Sequence, residues 1–225
     1  MATASVLPLL YSHRRCPYAM RARMALLVAG IGFDVHEIVW RDKPAGMLAL
    51  SPKGTVPVLR LPDGSALEQS LDIMRWAFAA QDPAGWWARA QDADNPLLLA
   101  LCDGDFKHHL DRYKYPERFD DGAGRARHRD HAVDALLKPL DARLQRSAQL
   151  GGSAPCAGDI AIFPFVRQFA AVEPAWFEQQ PWPALQAWLA GWLSHPVFEA
   201  AMVKLPSGQV QRFPPLPQTV NAAGS

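Results

Sequence analysis

The sequence predicts an α/β region followed by an all-α region, and three observations carry that reading. The first eighty residues alternate short apolar or β-rich runs with helical ones. A polar stretch broken by Pro and Gly, 81–95, interrupts the alternation. From Pro96 on, strand signals fade and apolar residues recur at helical spacing. The predicted organisation is therefore an α/β domain over 1–80, a linker over 81–95, a helical domain over 96–205 and a loosely structured, proline-rich tail over 206–225. A chain of 225 residues, 49% of them apolar, has the material for two modest cores.

The chain opens on a strand-length apolar run, Val6-Leu7-Pro8-Leu9-Leu10, then a polar turn, Tyr11 to Arg15. Cys16-Pro17 follows, and a helix runs from there to Ala29, stopped by Gly30 and Gly32. Pro17 suits the first helical position, where its missing N–H would be unpaired in any case. Cys16 thus sits in a strand-to-helix turn. The unpaired N–H groups and positive dipole end of a helix favour thiolate over thiol. Arg14 and Arg15 add positive charge beside it, so Cys16 is the candidate nucleophile.

Phe33 to Val39 reads as a second strand, parallel to the first because a helix separates them. A polar segment, Arg41-Asp42-Lys43-Pro44, leads to a short helix, Ala45 to Leu50. In Thr55-Val56-Pro57-Val58-Leu59 a proline enters a strand-like run, where a trans proline would disrupt pairing. Pro62-Asp63-Gly64-Ser65 is a hairpin turn, and Leu67-Glu68 is the return strand. Gln69-Ser70 opens a helix from Leu71 to Ala80, with Ser70 as its expected cap.

In the second half, Leu97 and Leu101, then Phe106, Leu110 and Tyr113, fit helix faces. Val133, Leu137, Leu140 and Leu144 form a core-facing stripe, which Pro139 bends or interrupts. Pro164 predicts a kink or a shifted start in the helix over Ile160 to Ala170. Leu185, Trp188, Leu189 and Trp192 make a further stripe.

Charge excludes several function classes. Lys plus Arg (23) nearly balance Asp plus Glu (22), which leaves no footprint for nucleic acid or an anionic membrane. No apolar run approaches the ~20 residues of a membrane span. No basic segment precedes an apolar core, and Arg14-Arg15 follows the apolar run, so no leader peptide is expected. Three scattered cysteines, 16, 102 and 156, do not make a disulfide framework and fit a reducing compartment, so the expected location is cytoplasmic. His128 and His131 share a helix face, yet no ligand cluster accompanies them, so no metal is expected.

The order strand, Cys16-Pro17-Tyr18-Ala19, helix, strand, Val56-Pro57-Val58-Leu59, hairpin, Gln69-Ser70, helix resembles the thioredoxin-like domain of cytosolic glutathione transferases. The Cys-Pro-Tyr-Ala run resembles a glutaredoxin site with alanine in place of the second cysteine, closest to the cysteine-type omega class and its bacterial relatives. The resemblance implies a thioredoxin-like domain followed by a helical bundle, glutathione as co-substrate and a homodimer. It implies a cis proline at Pro57, which frees the Val56 backbone to pair with the cysteinyl unit of glutathione. It places the γ-glutamyl end at Gln69 and Ser70, where omega members carry Glu in the first position. It places the glycyl carboxylate at Lys43, which precedes Pro44 as the omega lysine precedes its proline.

The activity so implied is a glutathione-dependent thiol transferase or reductase acting on a small disulfide or electrophilic substrate. Cys16 would form a mixed disulfide that a second glutathione resolves, because Ala19 removes any resolving thiol in the chain. Two other readings stand beside it. One is conventional conjugation at the hydroxyls of Tyr11 or Ser12. The other is a non-catalytic binding or regulatory protein on the same fold, whose known examples usually lose the cysteine. The resemblance also makes Asp159 part of a helix-capping tetrad, with Cys156 in the hydroxyl position, and implies a co-substrate wall in the second domain. Phe106, His109, Tyr113 and Arg167 are candidates for that wall by residue type alone, and the favoured reading is core for the aromatics and a solvated face for the charges.

Overall fold

The computed structural model describes residues 6–91, 94–119, 122 and 124–217. Its contacts gather the chain into two units, one of Met1–Ala84 with His195–Ser225 and one of Gly85–Ser194.

The first unit opens with β1 (Leu9–Ser12), α1 (Pro17–Val28) and β2 (Asp34–Glu37). β1 and β2 pair in parallel, Leu9 opposite Asp34 and Ser12 opposite Glu37, as the intervening helix requires. The first strand begins two residues after Leu7 and extends through the turn residues Tyr11 and Ser12, because the carbonyl of Pro8 already accepts from the Asp34 N–H (2.8 Å). α1 ends in a Schellman pattern: Gly30 (φ 70°) donates to the Leu27 carbonyl and Ile31 to that of Leu26. Only glycine adopts that left-handed turn without penalty, which is why the helix stops there. α2 (Ala45–Leu50) follows, then β3 (Val58–Arg60) and β4 (Ala66–Leu67), antiparallel across the turn at Pro62–Ser65. The Val56–Pro57 peptide is cis, and the strand starts just after the proline. α3 covers Ser70–Ala80.

The second unit is helical. It comprises α4 (Trp86–Arg89), α5 (Asp94–Leu101), α6 (Lys107–Lys114), α7 (Arg125–Ala132), α8 (Lys138–Leu144), α9 (Ala157–Ala170), α10 (Pro174–Glu178) and α11 (Pro183–Leu193). The expected stripes lie in its core: Val133, Leu137, Leu140, Leu144, Leu185, Trp188, Leu189 and Trp192 are all buried. Leu97 is 61% exposed and Leu101 only partly buried, because α5 turns Leu98 inward instead. A wide five-residue turn, Val133–Leu137, lies just before Pro139, whose ring cannot follow a regular helical turn. Helix α9 starts at Ala157 and continues past Pro164. Asp159 sits at the hub of this unit, fully buried. Its carboxylate accepts from the N–H groups of Cys156 (2.8 Å) and Leu150 (3.0 Å) and from the Trp188 indole (2.7 Å). Cys102 and Cys156 are both buried thiols.

The chain then returns to the first unit through α12 (Pro196–Ala201), which packs on α1, and β5 (Val210–Arg212). β5 pairs antiparallel to β2 and completes a five-stranded sheet in the order β4-β3-β1-β2-β5. Part of the stretch expected as a loose tail is therefore an edge strand. Phe213 stacks on Phe33 (4.7 Å between ring centres), and Arg212 pairs with Asp34 (3.0 Å). No helix among the described residues is long and apolar enough to cross a membrane.

Candidate functional site

The site is built where β1 hands over to α1. Cys16 occupies the residue ahead of α1, extended (φ −75°, ψ 123°), and its N–H donates to the His13 carbonyl (2.9 Å). That bond closes the turn His13–Cys16 and leaves the side chain half-buried at the helix start. The Cys16 Sγ lies 3.6 Å from the Val56 carbonyl oxygen. It packs against the small core of Tyr11, Ile38, Met47, Val56 and Val58. The strand-to-helix turn and the cis-proline turn thus meet at the sulfur, although forty residues separate them in sequence.

A buried ion pair holds the turn from beneath. Arg23, wholly buried, donates to the Glu37 carboxylate, to Ser12 Oγ (2.9 Å) and to the Ala201 carbonyl (3.1 Å). The other oxygen of Glu37 accepts from the backbone N–H of Arg14. His13 Nδ1 is 3.8 Å from Glu37. Burial pushes the His13 pKa below its ordinary value, opposed by Glu37 and reinforced by Arg15 and Arg23.

The other residues expected at the site fall as follows. Lys43 carries its ammonium over the Trp40 ring (5.7 Å), and Trp40 in turn meets the edge of His13 (5.4 Å). Gly54 (φ 60°) passes beneath Lys43, where a Cβ would come within 3.1 Å of Nζ. Gln69 is exposed at the residue before α3. Ser70 is the first residue of α3 rather than its cap: it is buried, and its hydroxyl accepts from Arg21 Nη1 (3.2 Å). Glu68, beside them, accepts from Ser51 and faces Lys53 (3.8 Å). Cys16 and Val56 therefore touch, Ser70 is tied to the helix that follows Cys16, and Lys43 is linked to the Cys16 turn through Trp40 and His13. Among the described residues no side-chain hydrogen bond ties Gln69 to them.

The hydroxyls considered for conjugation are committed to the interior. Ser12 is fully buried and accepts from Arg23, and Tyr11 is buried with its hydroxyl 2.9 Å from where a Cβ on Gly46 would fall. In the second unit, Phe106 and Tyr113 are core residues against Phe169, and Tyr113 donates to Glu173 (3.0 Å). Arg167 lines an apolar cleft of about 440 Å³ with Phe177, Leu189 and Leu193. His109 touches His108, His128 and His131. Among the described residues no group of three or more His, Cys, Asp or Glu side chains is arranged to hold a metal ion.

Sequence reasoning missed Arg21, Arg23, Trp40 and Glu37. The available signal was two arginines inside a helix of otherwise small and apolar residues, Ala19 to Val28, with no polar face to carry them.

Residues 15–79 match the family model described as glutathione S-transferase, N-terminal domain, and residues 122–191 match its C-terminal domain; together they span more than half of the chain. Over 194 residues the chain is 26% identical to glutathione S-transferase omega-1 of Rattus norvegicus, covering 83% of this chain and 77% of the rat protein. A glutathione transferase family member from Pseudomonas fluorescens, solved with two glutathione bound, superimposes with a TM-score of 0.74 at 19% identity, covering 89% of this chain and 94% of that one. A glutathione transferase from Pseudomonas putida, solved with one glutathione disulfide per subunit, gives 0.71 at 19% identity, covering 87% and 90%.

Proposed function

Because the chain belongs to the glutathione S-transferase family, we propose that it is a glutathione-dependent thiol transferase whose nucleophile is Cys16. The observation that carries this reading is the half-buried Cys16 sulfur at the start of a twelve-residue helix, 3.6 Å from the Val56 carbonyl. A helix start favours a thiolate, and thiolate is the attacking species.

Cys16 Sγ attacks the glutathionyl sulfur of a mixed disulfide. That S–S bond breaks, the substrate sulfur leaves as a thiolate and takes up a proton, and a Cys16–glutathione disulfide forms. The thiolate of a second glutathione attacks this bond, forms oxidised glutathione and returns Cys16 as a thiolate. Glutathione lies with its cysteinyl unit along the Val56 backbone, its glycyl carboxylate at Lys43 and its γ-glutamyl end at Gln69 and Ser70. Lys43, held between Trp40 and Gly54, supplies a positive charge for the first carboxylate.

Conventional conjugation has less support, because Tyr11 and Ser12 are buried and Ser12 is already bonded to Arg23. A purely scaffolding role has less still, because Cys16 and the residues expected to hold glutathione are all present.

Mass spectrometry of the protein after incubation with oxidised glutathione at neutral pH tests the reading. One glutathionyl group on Cys16, removed by added glutathione and absent from Cys16→Ser, is the expected result. Full disulfide-reducing activity in Cys16→Ser would show that the nucleophile is another group.

A further inference from the structure

Arg21 lies in α1 five residues after Cys16, and its side chain is 0% exposed. Its Nη1 donates to Ser70 Oγ at 3.2 Å, and Ser70 is itself only 4% exposed. The Tyr18 ring lies 5.6 Å from the Arg21 guanidinium. A guanidinium keeps its charge at any pH a protein meets, so the donor against the Ser70 hydroxyl is a cation.

The chemistry of that hydrogen bond is directional. A serine hydroxyl has one proton and two acceptor lobes. With a cation's N–H occupying an acceptor lobe, the hydroxyl proton points elsewhere and is polarised for donation. α3 has eleven residues, so its start adds the positive end of a real helix dipole in the same place. Hydroxyl proton, dipole and buried guanidinium all favour a carboxylate over a neutral group.

Resting on the glutathione reading above, we propose that Arg21 is a positioning residue: it fixes the Ser70 hydroxyl as a donor and makes this end of the site selective for the α-carboxylate of the γ-glutamyl unit. Arg21 acts through Ser70 and does not touch the ligand. A deletion at either residue therefore removes the same interaction, and the two deletions do not add.

The test uses calorimetric binding of two unreactive probes to the intact protein. One is S-methylglutathione. The other is its analogue with 4-aminobutyrate in place of the γ-glutamyl unit, which lacks only that α-carboxylate. Wild type binds the first at least tenfold tighter, the size expected for a hydrogen bond to a charged group. Arg21→Gln and Ser70→Ala each remove about tenfold of that affinity, leave the analogue unchanged, and together cost no more than the worse of the two. Arg21→Lys, which keeps a buried cation, recovers part of the loss. It also carries the same cycle if Arg21→Gln does not fold, because whatever loss it causes must vanish in the Ser70→Ala background. Equal weakening of both probes by Arg21→Gln, or additive losses in the double variant, overturns the proposal while the glutathione reading stands. Failure of the wild type to bind S-methylglutathione overturns both.

Discussion

The guanidinium of Arg23 and the carboxylate of Glu37 form a buried ion pair between α1 and the end of β2, and the second Glu37 oxygen reaches the backbone of Arg14, two residues before Cys16. The pair therefore does two things. It neutralises a guanidinium that burial alone disfavours, and it anchors the turn that carries the thiol. Breaking such a pair on one side strands a buried charge, at a cost of about 3–5 kcal/mol. Arg23→Met and Glu37→Leu are each expected to lower stability by that order, measured by urea unfolding followed through circular dichroism. The double variant is expected to be more stable than either single variant, because no charge is left unpaired. Additive losses in the double variant would show that the pair is not the interaction being removed.

The three thiols differ sharply in their surroundings, and alkylation separates them. Cys102 and Cys156 are buried, while Cys16 is half-buried at the surface of the first unit. Burial, with the Asp159 carboxylate beside it, pushes the Cys156 thiol up to about 12. Thiolate is the form that reacts with iodoacetamide. Native protein at pH 7.5 is expected to take up one carbamidomethyl group, on Cys16, and denatured protein three. Glutathione present during the native reaction is expected to slow it. Native labelling of Cys102 or Cys156 at the rate of Cys16 would contradict this.

Much of the first unit is legible in the sequence because its signals are local. Pro17 at a helix start, Gly30 at a helix end, the Pro62–Ser65 turn and the proline after Val56 each restrict the backbone on the spot. The stripes of α8 and α11 are legible for the same reason, since spacing alone points Leu140 or Trp188 inward. What escapes reading depends on distant partners. β5 has three residues, Val210 is 53% exposed and prolines follow closely, so nothing in its own composition marks a strand; the free edge of β2 makes it one. Arg21 and Arg23 stand out in an apolar helix, but nothing local names their partners, Ser70, 49 residues on, and Glu37, 14 residues on. Leu97 and Leu98 compete for one inward place, and one turn of periodicity does not choose between them. The candidate site shares this split: Cys16 and the Val56–Pro57 turn are announced by the sequence, but the network that holds them is not.

The histidine cluster of the second unit predicts how stability responds to acid. His109 Nδ1 lies 2.9 Å from His128 Nδ1, so one imidazole donates and the other must be an unprotonated acceptor. His108 and His131 also flank His109, and Asp105 is the acidic group that opposes their effect. Arg127 in turn contacts His131 (3.4 Å). Burial, followed by the neighbouring histidines, holds the His109 pKa below its ordinary 6.5. The unfolded chain, with an ordinary histidine, then binds the proton more readily than the folded one. Stability must rise with pH between the folded-state value and 6.5, and be lost as pH falls through that window. The melting temperature is expected to drop on acidification from pH 7.5 to pH 5. His109→Gln, which carries no titrating group, is expected to show a shallower drop. His13, His36 and His195 are shifted in the same direction by burial and keep part of the slope in the variant. Identical slopes in wild type and His109→Gln would mean that the imidazole contact in α6 and α7 does not sense the proton, and that the acid response originates in those other three residues.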